Sequence, residues 1–190
     1  MLLTDADIRF FATQKDMIEP FAVEQVRTKD DKPIVSYGLS SFGYDARLDN
    51  EILAVDKNSS GVIDPKRNVR DCFTVAERNM DGGGVIVPPL TMCLGQTVEY
   101  FKIPENIMVL CVGKSTYARC GLIVNVTPLE PGWEGHVTLE LSNTTPLPIV
   151  VYPGEGICQF IFHEGNVPEV TYSKRSGKYM YQREVTLPRL

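Results

Sequence analysis

The stretch His136-Val137-Thr138-Leu139-Glu140-Leu141-Ser142 alternates polar and apolar residues without a break. Successive side chains of a β-strand point to opposite faces. Val137, Leu139 and Leu141 therefore share one apolar face, and His136, Thr138, Glu140 and Ser142 share the other. The pattern predicts a strand with one side on a core. Its polar strip suits a solvated sheet face, a subunit interface or the wall of a pocket.

Strand signals continue outward from this segment. They cover residues 43–55, 84–87, 91–101, 107–112, 122–127, 136–142, 148–152 and 156–163. Turn residues punctuate them, at Asp81-Gly82-Gly83-Gly84, Pro88-Pro89, Pro131-Gly132 and Pro153-Gly154. Many short strands with tight corners predict a mainly β fold: a sandwich, jelly roll or barrel. At the start, Thr4 precedes Asp5-Ala6-Asp7-Ile8 and then Phe10-Phe11, which predicts a short helix capped by Thr4. The 190 residues show no repeat, low-complexity run or linker, so residues 1–190 read as a single domain.

Composition narrows the function classes. Hydrophobic residues make up 43% and charged ones 23%, which suits a globular chain. A net charge of −5 argues against a nucleic-acid binder held by a basic surface. It leaves room for a nucleotide in a small basic pocket. No apolar run approaches the ~20 residues of a membrane span, so no membrane association is expected. The five cysteines are odd in number and widely spaced, without a C-x-x-C pair. With no leader-like start, they predict a cytoplasmic protein with reduced thiols, Cys120 being a core filler rather than a nucleophile. His136 and His163 are the only histidines, and no clustered zinc ligands are expected.

Two charged segments stand out. From Ser173 onward there are five basic residues against the single acid Glu184. That tail suits either a solvated end or a segment that folds over an anionic ligand. The run Gly113-Lys114-Ser115-Thr116-Tyr117-Ala118-Arg119-Cys120-Gly121 interrupts the strands with two cations and two hydroxyls. Residues 115–119 predict one helical turn ending at Gly121, with Ser115 and Arg119 on one face. Taken alone, a carboxylate, an arginine and a serine make a structural ion pair more often than a catalytic set.

The frame around these residues is specific. Residues 113–143, Ser36-Tyr37-Gly38, Gly43-Tyr44-Asp45-Ala46-Arg47-Leu48, and Pro153-Gly154 with Cys158-Gln159-Phe160 resemble, in order, the dCTP deaminases of the trimeric dUTPase-like superfamily. The resemblance implies a distorted jelly-roll or β-barrel, a mobile C-terminal lid over 172–190 and a homotrimer with intersubunit active sites. It implies hydrolytic deamination of dCTP to dUTP and ammonia, feeding dUMP and dTTP synthesis. Mg²⁺ would be held by the substrate triphosphate and no zinc used; the zinc deaminases carry an H-x-E…P-C-x-x-C signature that this chain lacks.

The resemblance also implies roles. Glu140 matches the general acid/base, and Ser115 and Arg119 match residues that orient water and stabilise the intermediate. Lys114, Ser115, Thr116, Tyr117, Ala118 and Arg119 form the nucleotide-binding turn, with Thr138, Leu139 and Glu140 on the strand. Glu130 falls beside the sugar 3′-hydroxyl and Trp133 on the deoxyribose. Gln159 matches a nucleotide contact, and Tyr172, Lys178 and Gln182 match triphosphate contacts. Simpler roles exist for several: Trp133 as a packed turn residue, Gln159 as a sheet-edge partner, Lys178 as a solvated cation. Two positions depart from relatives. The loop 126–130 is shorter than in some, and Lys114 stands where some have arginine, which keeps charge but loses the bidentate fork. A plain dUTPase would show a G-x-I-D-x-x-Y-G context, whereas this chain reads Leu129-Glu130-Pro131-Gly132-Trp133. Rival readings are a bifunctional enzyme releasing dUMP and pyrophosphate, a non-catalytic nucleotide-binding trimer, and a carbohydrate-binding or structural jelly roll.

Overall fold

The computed structural model describes residues 1–59, 61–79 and 83–189. Asp81 and Gly82 of the glycine-rich turn lie outside the described residues. Helix α1 (Asp5–Gln14) opens the chain. The Thr4 hydroxyl accepts from the Asp7 amide, and the Asp7 carboxylate accepts from the Thr4 amide at 2.9 Å. This reciprocal cap satisfies donors that a helix start leaves free.

The strands are β1 (Ile18–Glu19), β2 (Val26–Lys29), β3 (Lys32–Ser40), β4 (Gly43–Arg47), β5 (Leu53–Val55), β6 (Phe73–Val75), β7 (Val85–Val87), β8 (Met92–Lys102), β9 (Ile107–Gly113), β10 (Leu122–Asn125), β11 (Glu134–Asn143), β12 (Ile149–Val151) and β13 (Gly156–Glu164). A short helix α2 (Ser115–Ala118) sits between β9 and β10. One sheet runs β10-β11-β8-β5-β6, with β1 also pairing β8. A second runs β2-β3-β4-β13-β9, and β12 pairs β7. This is the mainly β fold that the alternation predicts.

The two large sheets enclose the core. Phe101 of β8 and Phe160 of β13 are fully buried, with ring centroids 4.9 Å apart, so they join one sheet to the other. Burying such side chains is worth roughly 1.5–3 kcal/mol each. In β11 burial alternates strictly, with Val137, Leu139 and Leu141 in the core.

Three details differ from the sequence reading. The single strand expected over 43–55 is two strands in different sheets. Between them Leu48 and Ile52 are buried while the Asp49 amide bonds to the Gln96 carbonyl at 2.9 Å, so the chain crosses from sheet to sheet there. The β2–β3 hairpin leaves no alternating signal in the sequence, because β2 is mostly polar and exposed. Its two-residue turn, Asp30-Asp31, has φ of 49° and 59°, which fits a tight hairpin. Cys120, expected in the core, is exposed, because it follows α2 on the outer side of the turn.

Candidate active site

A cavity of about 450 Å³ lies against the polar face of β11. Its walls include Glu140 and Thr138 from the strand, Glu130 and Trp133 from the loop before it, and Tyr172 and Gln182 from the tail. Met92 and Leu94 of β8 form an apolar side. The polar strip of β11 is therefore a pocket wall.

Glu140 sits among these groups with one side-chain partner. Asn125 of β10 lies directly across from it in the antiparallel ladder, and the Asn125 Nδ2 donates to Glu140 Oε2 at 3.2 Å. Burial raises the Glu140 pKa above the ordinary carboxylate value, and the Asn125 hydrogen bond opposes that shift only in part. A carboxyl group that holds its proton more tightly than usual is suited to taking a proton and returning it. Nothing in the sequence pattern singles out Asn125, because its role arises from strand register.

Trp133 is buried, and its indole walls the pocket. Its amide donates to the Glu130 carbonyl at 3.0 Å, which closes the turn after Pro131. The Glu130 carboxylate is paired with the Arg175 guanidinium of the tail, which also lies over the Tyr172 ring at 5.3 Å.

The tail docks on its own chain. Residue 182 runs beside Gly135, and the His136 amide donates to the Gln182 carbonyl at 3.0 Å. This close approach needs glycine: Gly135 has φ of 152°, and a Cβ there would stand 2.9 Å from the Gln182 nitrogen. The Thr138 hydroxyl donates to Gln182 Oε1 at 2.8 Å and accepts from the Thr186 amide at 3.2 Å. Val185 is buried against Leu53 and Leu94. Thus Thr186, Val185 and Tyr179 join the site's surroundings, although no sequence signal marked them.

The basic turn lies elsewhere on the chain. None of residues 114–119 lines the cavity. Ser115, Thr116, Ala118 and Arg119 are exposed, and the Arg119 amide bonds back to the Ser115 carbonyl at 3.2 Å. Tyr117 is buried, and its phenol oxygen accepts from the Tyr152 amide at 3.2 Å. Burial pushes that phenol far above its ordinary pKa. Lys114 points inward, with Nζ 2.6 Å from Asp45 Oδ2 in a largely buried pair. The turn ends at Gly121, where φ is 85° and a Cβ would stand 2.3 Å from Thr145 Cγ2.

Three further candidates sit apart from the pocket's open space. Leu139 has its side chain in the core, so only its backbone faces that way. Gln159 Nε2 donates to Ser40 Oγ at 2.9 Å on the second sheet. Lys178, exposed in the tail, donates to the Arg189 carbonyl at 3.3 Å. Within one chain, the carboxylate and sugar-side candidates are together and the basic turn is not.

Among the described residues, no group of three or more His, Cys, Asp or Glu could hold a metal ion. No described helix is long and apolar enough to cross a membrane.

Two β-sheets and a desolvated carboxylate walling a cavity beside the chain's own tail define the class: a mainly β protein with a built pocket. Within it, the chain belongs to the dCTP deaminase-like family, whose model matches residues 2–165. It is 55% identical over 188 residues to the dCTP deaminase of Rickettsia bellii (strain OSU 85-389), covering 98% of each chain. It is 56% identical over 190 residues to the dCTP deaminase of Erythrobacter litoralis, covering 100% of this chain and 99% of that one. The fold resembles the crystal structure of 2′-deoxycytidine 5′-triphosphate deaminase from Agrobacterium tumefaciens, with a TM-score of 0.58 at 20% identity. That match covers 86% of this chain and 48% of the other, so this chain spans about half of that longer one.

Proposed function

We propose that this protein is a hydrolytic deaminase that converts dCTP and water to dUTP and ammonia. The observation that carries the reading is Glu140, a carboxylate raised in pKa by burial and facing a cavity beside Trp133 and the tail. Glu140 takes a proton from water as the oxygen adds to C4 of the cytosine. It delivers that proton to N3, giving a tetrahedral intermediate. It then carries the second hydroxyl proton to the amino group, the C4–N4 bond breaks, and ammonia leaves as the carbonyl forms. Developing charge on the ring and oxygen needs fixed donors. Ser115 and Arg119 supply them from a neighbouring copy in a homotrimer.

Exposed apolar residues support that assembly. Met108, Leu110 and Val112 of β9 and Ile123 of β10 flank the α2 turn on the surface, where a subunit contact would cover them. The triphosphate, entering as its Mg²⁺ complex, meets the basic turn and the tail cations. Glu130 and Trp133 take the sugar. Lys114 contributes through its Asp45 pair to the placing of the turn. The reaction belongs to the cytoplasm, where nucleotides are made.

Incubation with dCTP and Mg²⁺, following ammonia, dUTP, dUMP and pyrophosphate together, tests the reading. Ammonia with dUTP supports it. Ammonia with dUMP and pyrophosphate gives the bifunctional enzyme. In Glu140→Gln, dCTP binding should persist while kcat falls by about 10²–10⁴-fold. Binding without turnover in the unaltered protein would leave a nucleotide sensor and remove Glu140 from catalysis.

A further inference from the structure

Besides its own backbone amide, the Glu140 carboxylate has one side-chain hydrogen-bond donor among the described residues. Asn125 Nδ2 holds Oε2, and among the described residues no side chain bonds Oε1. The pair faces outward from adjacent strands at a directly opposed ladder position, Asn125↔Glu140. The ladder fixes the two Cα atoms, so the amide meets the carboxylate without help from a mobile loop. On the other side of Glu140, β8 presents Leu94 at the opposed position, which offers no donor.

The other ionisable groups of the cavity are occupied. Glu130 is paired with Arg175. The Tyr172 phenol oxygen accepts from the Tyr179 amide at 3.2 Å, and the Tyr179 phenol oxygen accepts from the Arg189 amide at 3.1 Å. Thr138 is engaged by Gln182 and Thr186. Ile63 and Phe73 also line the cavity and carry no charge. Among the described residues, Asn125 is thus the one side chain of this subunit placed to distinguish the two carboxylate oxygens.

We infer that Asn125 is a positioning residue that acts through Glu140, pinning Oε2 so that Oε1 alone faces the reacting water and ring. The inference rests on the deaminase reading for its kinetic consequence. The bond has a second effect: a donor to the charged carboxylate favours the ionised form and counters the burial that disfavours it. With the donor gone, Glu140 stays protonated to higher pH and cannot accept the water proton.

The test compares the full-length protein with Asn125→Leu, which removes the donor at similar volume, and Asn125→Asp, which keeps the shape but adds a second carboxylate. Asn125 is exposed, so both variants should fold, as melting curves would verify. The acidic limb of kcat/KM against pH should move up by about one unit in Asn125→Leu and further in Asn125→Asp. Below the limb this is about a tenfold loss per unit, while the plateau at higher pH falls less. A residue that only braces the strand would lower the rate evenly at every pH, and that result would overturn the inference.

Titration of ¹³C-carboxyl glutamate, with the Glu140 signal identified by its loss in Glu140→Gln, gives a readout free of turnover. A matching upward shift supports the pair. No shift in either variant overturns it and leaves the deaminase reading standing. A shifted signal in a protein that deaminates nothing supports the coupling and removes the deaminase reading instead.

Discussion

Replacing Thr138 by valine should unlatch the tail while leaving the two large sheets intact. The threonine hydroxyl donates to Gln182 Oε1 at 2.8 Å and accepts from the Thr186 amide at 3.2 Å. Gln182 and Thr186 are each 8% exposed, so water cannot readily replace either bond. Valine has the same outline and neither function. Each lost bond costs about 1 kcal/mol net, together about 2 kcal/mol against the docked tail. Every 1.4 kcal/mol is tenfold, so the docked population should fall by ~30-fold relative to the open one. The Val185 contact with Leu53 and Leu94 remains, so the tail loosens rather than detaches. Hydrogen exchange at the Thr186 amide should accelerate by about that factor, while amides of β11 facing β8 keep their protection. The KM for dCTP should rise with it. Unchanged exchange at Thr186 together with unchanged KM would refute the idea that Thr138 holds the tail.

Other outcomes follow from burial and charge. Asn143 is 3% exposed; its Nδ2 donates to the carbonyls of Val87, Pro88 and Leu147, and its Oδ1 accepts from the Thr145 amide and hydroxyl. Asn143→Ala should cost about 3 kcal/mol, seen as a Tm lower by about 10 °C; a loss under a few degrees would contradict this account. Glu140→Gln should also alter stability with pH. The folded Glu140 pKa lies above its unfolded value, so the native state binds the proton more tightly and stability declines as pH rises through that interval. The variant should therefore melt above the wild type at pH 8, with the gap closing below pH ~4. Equal gaps at both pH values would mean that burial does not strain this carboxylate.

Much of this arrangement was legible because it depends on local periodicity. The alternation over 136–142 placed Glu140 off the core, and the strand β11 does the same. Thr4 and Asp7 form the expected helix start, and Gly121 ends the expected turn. What escaped depends on distance in sequence. The carbonyl of Glu155 receives the Leu48 amide, and that contact helps turn one expected strand into two. Asn125 is an ordinary polar residue until the ladder sets it opposite Glu140. The basic tail could be read as charged, but Val185 anchoring it between two leucines could not. Lys114 reads from sequence only as a cation beside Ser115, and its pairing with Asp45 of β4 could not be read there. Pairings of that kind are set by topology, which a one-dimensional pattern does not contain.

The register break in the β8–β11 ladder has a further consequence. His136 faces Tyr100 and Thr138 faces Gln96, so β8 spends three residues where β11 spends one. That excess lets Glu99 turn into the core to meet Arg47 Nε at 2.8 Å. Beyond it the count on β11 is locked from Thr138 to Ser142. Inserting or deleting a single residue there would present a leucine to the cavity and send the carboxylate into the core beside Cys93 and Gly95 of β8. Chain length in this strand is therefore constrained by parity. Changes of length can accumulate freely only in the loops on either side, such as 126–133 before the strand.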